Sequence, residues 1–168
     1  MTISMYAASV PLFRRSMTAL SAVLGKGAAF AEAKRIDPSV LLQSRLAPDM
    51  FPLARQVQSV SDQTKGGVAR LAGVEIPKFA DEETTFAQLQ DRLARTLDFI
   101  GSVPAEKIDG SEAREIVLTM RVGEVRFTGQ DYLLHFVIPN VLFHCTTAYG
   151  ILRHNGVELG KRDFLGAR

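Results

Sequence analysis

The side chains that could do chemistry are concentrated near the C-terminus, where all three histidines of the 168-residue chain lie: His135, His144 and His154. If this stretch is helical, Asn140 and His144 are one turn apart and point the same way. They interrupt an apolar stripe that consists of Leu133, Val137, Ala148 and Ile151. A polar pair within an apolar face costs free energy unless it is hydrogen-bonded or binds something. The pattern therefore predicts a candidate site at Asn140 and His144.

Each of these side chains also has a purely structural interpretation. His144 is either a base or ligand, or a buried histidine that pairs with Asn140 and a carbonyl, and we favour the second interpretation. His135 is a further pocket candidate near Pro139, although solvent or a neighbouring turn also accounts for it. Cys145 follows His144 directly, but adjacent helical residues diverge by about 100°, so a shared nucleophilic site is not expected.

Composition excludes several functional classes. The chain has 20 basic and 18 acidic residues, interleaved along its length, so no basic face for nucleic acid is predicted. A single cysteine excludes an intramolecular disulfide and a multi-cysteine zinc site, which fits a reducing cytoplasm. No run of about 18 apolar residues is present, so no membrane span is expected. The length suggests one domain spanning residues 1–168.

The N-terminal region allows two interpretations. Arg14 and Arg15 are followed by an apolar stretch that resembles a twin-arginine export signal. However, apolar residues repeat at helical spacing before, through and after the arginines, which an export signal does not require. We therefore favour an amphipathic helix that begins near residue 4 and ends near residue 34.

The remaining pattern predicts three more long helices and one hairpin. A short helical piece, opened by Asp37 as a cap, covers residues 37–42. The further elements are a second long helix from an Asp49 cap to about 73, a third from a Thr84 or Thr85 cap to about 101, a hairpin over 114–127 with its turn at 121–123, and a last helix from about 128–130 to 154.

The last helix contains Pro139, which should kink it and free the carbonyl of His135. It is apolar on almost every side, so it is either central or buries a second face in another subunit. The predicted fold is an all-α antiparallel four-helix bundle with a small β-hairpin between the third and fourth helices. The excess of apolar surface on the last helix predicts a homodimer.

The chain resembles the DinB/YfiT-like superfamily of four-helix bundles, and within it an uncharacterised bacterial family of unknown function. The resemblance is carried by residues 45–53 with Arg55 and Gln56, and by residues 127–132, 147–156 and 160–166. Better-known members of this superfamily bind a divalent metal through three histidines, one from the second helix and two from the last. Such sites serve thiol-dependent transferases and isomerases, among other proteins.

Applied to this chain, the resemblance implies an incomplete metal site. The match over residues 152–156 aligns His144 with one histidine of the last helix and Asn140 with the other. The second helix has no histidine, and Asp49, Arg55 and Gln56 remain open as substitutes. An asparagine oxygen is a weak ligand for zinc, nickel or iron, so a retained pocket without metal is favoured over a zinc or nickel site.

Three functional hypotheses follow. In the first, a degenerate metal-type pocket with His144 and Asn140 binds a small molecule, and Gln56, Arg55 and Asp49 hold an anionic group. In the second, the protein is an active metal- or thiol-dependent transferase or isomerase with His144 as base or surviving ligand. In the third, it is a non-catalytic, dimeric interaction protein whose polar pair only fixes helix register. The reaction and the substrate stay open.

Overall fold

The computed structural model describes residues 3–120 and 123–166, and it has the predicted bundle. The elements are α1 (Met5–Lys34), α2 (Pro38–Gln43), α3 (Leu53–Ala72), α4 (Phe86–Ser102), α5 (Ala105–Ile108), β1 (Glu115–Met120), β2 (Gly123–Thr128), α6 (Gly129–Asp131), a π-helical turn (Tyr132–Val137), α7 (Ile138–His154) and α8 (Lys161–Leu165). Each of α1 and α3 packs against both α4 and α7, so these four helices enclose the core. None of the helices in the described parts of the chain has the length and apolarity needed to cross a bilayer.

Most helix ends are set by local signals and match the predictions. The hydroxyl of Ser4 accepts a hydrogen bond from the Ala7 amide at the start of α1. Thr85 and Gln88 form a reciprocal capping box at the start of α4. Gly73 ends α3 in the left-handed conformation, with φ at 66°. The segment that contains Arg14 and Arg15 lies within α1, so the amphipathic-helix prediction is confirmed.

The predicted start of the second long helix is wrong. The helix begins at Leu53, its N-cap residue is Pro52, and no side chain caps it. Proline disfavours helical geometry in the residue before it, so the helix cannot extend back through Phe51 to Asp49. Asp49 is exposed in the preceding loop.

The chain accommodates Pro139 through the π-helical turn that precedes it. Within this turn the Ile138 amide donates to the Leu133 carbonyl, five residues back. A turn of this kind holds one extra residue and changes the angular position of everything that follows. The buried face beyond it runs through Val141, Cys145 and Ala148.

Asn140 and His144 are therefore half-buried at the border of the core face, and the predicted stripe through them is only partly correct. Its apolar members, Leu133, Val137, Ala148 and Ile151, are fully buried.

The predicted hairpin is confirmed, with β1 and β2 antiparallel and Ile116 opposite Phe127. Ile116 and Leu118 alternate with exposed residues and pack against the helices. Of the predicted turn, Arg121 and Val122 lie outside the described residues.

A buried arginine ties α3 and α4 to the loop between them. Arg92 on α4 has no exposed surface, and its guanidinium contacts Asp62 of α3 at 2.7 Å, Asp81 at 2.9 Å and Glu83 at 2.9 Å. Burial alone would lower the pKa of Arg92, but the hydrogen bond with Glu83 and the charges of Asp62 and Glu83 outweigh it and raise that pKa. Lys65 adds a second cation, 2.7 Å from Asp62.

Replacing Arg92 by methionine should destabilise the bundle strongly. The change leaves three carboxylates without their common cation, and removing one partner of a buried ion pair costs roughly 3–5 kcal/mol. Because Asp62 and Asp81 are about one-third exposed, we expect a loss at the lower end of that range. Urea unfolding followed by circular dichroism measures it. The control is Arg95→Met, which removes an exposed arginine and should cost less than about 1 kcal/mol; equal losses in the two variants would contradict the role given to Arg92.

Candidate functional site

The candidate site is built on one hydrogen bond between α7 and α3. The Nδ1 atom of His144 lies 2.7 Å from Oε1 of Gln56. Gln56 is in the first turn of α3 and is only 1% exposed. Its Nε2 donates in turn to the main-chain carbonyl of Phe51, at 3.0 Å. A chain of two hydrogen bonds therefore links His144 to the loop that precedes α3.

These two hydrogen bonds determine the tautomer of His144. The Phe51 carbonyl can only accept, so the nitrogen of the Gln56 amide must face it and the amide oxygen must face the imidazole. An amide oxygen also only accepts, and hence Nδ1 of His144 carries the proton. In a neutral imidazole the other nitrogen, Nε2, then holds a lone pair. That atom can accept a hydrogen bond, take up a proton or bind a metal ion.

The environment keeps the imidazole uncharged. Burial lowers the pKa of His144 below its ordinary value of 6.5, and the nearby positive charge of Arg55 lowers it further. The arrangement is that of a neutral acceptor, with its proton held on the side of Gln56.

The positive charge of Arg55 is already matched. Its Nη1 forms an ion pair with Asp81 and lies 3.3 Å from Oε1 of Gln58. Asp81 also contacts Arg92, so Arg55 joins the buried charge network described above. The guanidinium further lies over the ring of Phe51, 5.7 Å from its centroid. Arg55 thus tunes His144 and is anchored by a carboxylate of its own.

Two exposed aromatic rings accompany the polar pair. Phe143 packs edge-on against His144, with ring centroids 5.3 Å apart and planes at 80°. Its side chain is 55% exposed, and that of Phe51 is 51% exposed. Phe51 and Phe143 therefore leave aromatic surface exposed at the residues that contact the polar pair.

The predicted pairing of Asn140 with His144 is wrong. The side-chain amide of Asn140 donates to the main-chain carbonyl of Phe136, in the π-helical turn before α7, at 2.7 Å. This is a bond from a side chain to the carbonyl four residues back on the same helical segment, a local alternative that asparagine commonly adopts. His144 instead finds its partner on α3. The chemistry of the two residues is therefore separate.

Two other candidates lie apart from this pair. Asp49 is exposed in the loop before α3, and Arg55 forms its ion pair with Asp81 instead of with Asp49. The side chain of His135 is 74% exposed, and its Nε2 lies 3.9 Å from the carboxylate of Asp131, four residues earlier. Of the six candidates from the sequence, the structure brings together His144, Gln56 and Arg55.

Asp81 and the two exposed phenylalanines were missed by the sequence analysis. Asp81 lies in an irregular loop, and no local pattern reveals its partners. Phe51 and Phe143 stand outside the apolar stripes, which was a usable signal for surface aromatics. Cys145 is buried, and burial raises its pKa to about 12, so it is not an activated thiol.

The residues at the site do not fit the three-histidine metal centre that the resemblance implies. One imidazole nitrogen is open, Gln56 is engaged by His144 and Phe51, and the amide nitrogen of Asn140 is bonded to a carbonyl. Across residues 3–120 and 123–166, no group of three or more His, Cys, Asp and Glu side chains is arranged to hold a metal ion. Zinc and nickel prefer several imidazole or anionic ligands, which this donor set lacks.

Replacing His144 by glutamine should make stability less sensitive to acid. The native imidazole has a lowered pKa, so the unfolded chain binds the proton first as the pH falls, and stability present above pH 6.5 is lost below it. The free energy of unfolding, measured by urea titration from neutral to mildly acidic pH, should fall less steeply in His144→Gln. His135→Gln, at an exposed histidine, is the control and should keep the wild-type slope; the same slope in all three proteins would refute the assignment.

Comparisons with known proteins agree with this architecture. The family described as domain of unknown function (DUF1993) matches residues 5–165. The chain is similar to the crystal structure of a DinB family member protein from Shewanella denitrificans, with 44% sequence identity and a TM-score of 0.89 over 97% of this chain and 92% of that one. No curated protein matches the chain. The chain therefore belongs to the DUF1993 family, a DinB-like family of unknown function.

Proposed function

We propose that this protein binds a small molecule at a degenerate DinB-type metal site and that it does so without a resident metal. The observation that carries the proposal is the 2.7 Å hydrogen bond between His144 Nδ1 and Gln56 Oε1. It leaves Nε2 as the open acceptor, while Gln56 occupies a position on α3 that faces His144. Of Asp49, Arg55 and Gln56, we therefore infer that Gln56 takes the place of the metal-binding histidine that related proteins have on this helix.

The ligand should present an acidic X–H group together with an apolar body. A neutral imidazole with a lone pair on Nε2 accepts a hydrogen bond from a hydroxyl or a thiol. The charge of Arg55 is matched by Asp81, so the site favours a neutral donor over the anionic group that the sequence suggested. The exposed rings of Phe51 and Phe143 offer apolar surface on which the rest of the ligand can pack.

The alternative is an active metal- or thiol-dependent transferase or isomerase. The open Nε2 favours it, because a histidine whose other nitrogen is held by a hydrogen bond is the usual form of a metal-binding imidazole. Against it stands the lack, within residues 3–120 and 123–166, of any group of three or more His, Cys, Asp and Glu side chains arranged to hold a metal ion. We therefore give precedence to the metal-free pocket.

The other alternative is a non-catalytic homodimer. The exposed side chains of Leu134 in the π-helical turn and Phe143 in α7 favour it, because contact with a second subunit would bury their apolar surface. In that case His144 and Gln56 only fix the packing of α7 on α3. Ligand binding at Nε2 separates this hypothesis from the first.

The metal content of the purified protein should be well below one ion per chain. The protein is prepared without chelators and analysed by plasma mass spectrometry, and its melting temperature is followed after addition of zinc or nickel. We expect no stoichiometric ion, and we expect that added zinc or nickel does not change the melting temperature. A stoichiometric ion that His144→Ala abolishes would overturn the metal-free site and support the enzyme alternative.

Phenol and anisole form a matched pair of probes for the ligand. They share an aromatic ring, but only phenol can donate a hydrogen bond to Nε2. Ligand-detected NMR should show phenol binding more tightly than anisole by up to about tenfold, since a lost hydrogen bond of this kind is worth about 1.4 kcal/mol or less. His144→Ala should abolish the preference, and His135→Ala should retain it. Equal binding of both probes to the wild type would refute the proposed role of Nε2.

A further inference from the structure

A second polar groove lies near the other end of α3, between that helix and β1. It has a volume of about 530 Å³ and is lined by Asp62, Gln63 and Arg70 of α3, by Phe136 of the π-helical turn, and by the last four residues of β1. Arg70 follows Gln56 by 14 residues on α3, which corresponds to roughly 21 Å along the helix at about 1.5 Å per residue. The groove is therefore separate from the His144 site.

Arg70 is a cation without an acidic partner in the described parts of the chain. Arg55, Arg92 and Arg126 each contact a carboxylate within 4 Å, whereas Arg70 contacts none there. Its Nη1 donates to the hydroxyl of Tyr132, at 3.0 Å. A guanidinium has five N–H donors in a planar fork, so most of its donors remain for another group.

The backbone of α3 is shaped to admit this arginine. A Cβ on Gly66 would lie 2.7 Å from Nη1 of Arg70, so the guanidinium occupies space that only glycine leaves. A Cβ on Gly67 would lie 2.6 Å from Cγ1 of Val137, so the π-helical turn also approaches closely here. Two consecutive glycines weaken a helix interior. The missing side chains leave room for Val137 to pack closely at Gly67 and for the Arg70 guanidinium to lie over Gly66.

The rest of the groove offers apolar surface next to the charge. Phe136 stacks on Tyr132, with centroids 5.7 Å apart and planes at 17°, and Val117 of β1 is 39% exposed. Asp62 at the far side is neutralised by Lys65 and Arg92, each 2.7 Å away. A ligand in this groove would meet one free guanidinium and an aromatic wall.

We propose that the groove between α3 and β1 binds a small carboxylate with an apolar body, held by the Arg70 guanidinium and packed against Phe136. The planar fork of arginine matches a carboxylate with two parallel hydrogen bonds. The hydrogen bond to Tyr132 already orders the guanidinium, so binding has less ordering to supply. The buried hydroxyl of Tyr132 keeps the guanidinium in place from behind.

Phenylacetate and phenylacetamide are the probes, because they have the same shape and only the first carries a charge. Titrations of the full chain are followed by amide NMR. Phenylacetate should give saturable shifts in residues 117–120 and near Phe136, and phenylacetamide should not saturate. Inorganic phosphate, which lacks an apolar body, should bind more weakly than phenylacetate.

Three variants separate binding from stability. Arg70→Gln and Gly66→Ala should each weaken phenylacetate at least about tenfold, the second by displacing the guanidinium while the charge is kept. Arg153→Gln removes an exposed arginine from α7 and should leave the affinity unchanged. Melting curves check that each variant is folded.

The proposal is overturned if phenylacetate gives no saturable shift, if it binds no better than phenylacetamide, or if Arg70→Gln binds as tightly as Arg153→Gln. Shifts confined to residues around His144 would also overturn it. The outcome is independent of the phenol and anisole experiment, which reports on the opposite end of α3.

Discussion

The candidate site depends on the hydrogen bond between His144 and Gln56. It joins α7 to the first turn of α3, and through the Gln56 amide it reaches the carbonyl of Phe51 in the preceding loop. Because the Phe51 carbonyl can only accept, the Gln56 amide must turn its nitrogen to that carbonyl and its oxygen to the imidazole, which places the imidazole proton on Nδ1. The chemistry available at Nε2 therefore follows from the packing of two helices.

The charged residues near His144 also favour its neutral form. Arg55 lies beside His144, lowers its pKa together with burial, and is held by Asp81. Asp81 in turn belongs to the network around the fully buried Arg92. A buried cation with several carboxylates is costly to desolvate, and its best-attested role is to fix one arrangement of the surrounding elements. Here it holds the loop between α3 and α4 against the helix that carries Gln56.

The elements of the fold could be predicted from the sequence because their signals are local. Ser4, the Thr85 capping box and Gly73 mark helix ends within a few residues of the chain. The site could be predicted only in part. The choice of Gln56 over Arg55 and Asp49 depends on how α3 lies against α7, which no spacing along one helix reveals. The sequence did not reveal that Asn140 and His144, one turn apart on α7, have separate partners: Asn140 donates to the Phe136 carbonyl, and His144 pairs with Gln56 on another helix.

The tautomer of His144 is the quantity that tests this account most directly. With ¹⁵N-labelled histidine, NMR at mildly alkaline pH distinguishes a protonated nitrogen from one that carries a lone pair. The account predicts a single neutral tautomer with the proton on Nδ1, lost in Gln56→Leu, whereas the exposed His135 should show an average of both tautomers. A proton on Nε2 of His144, or an averaged signal in the wild type, would contradict the account.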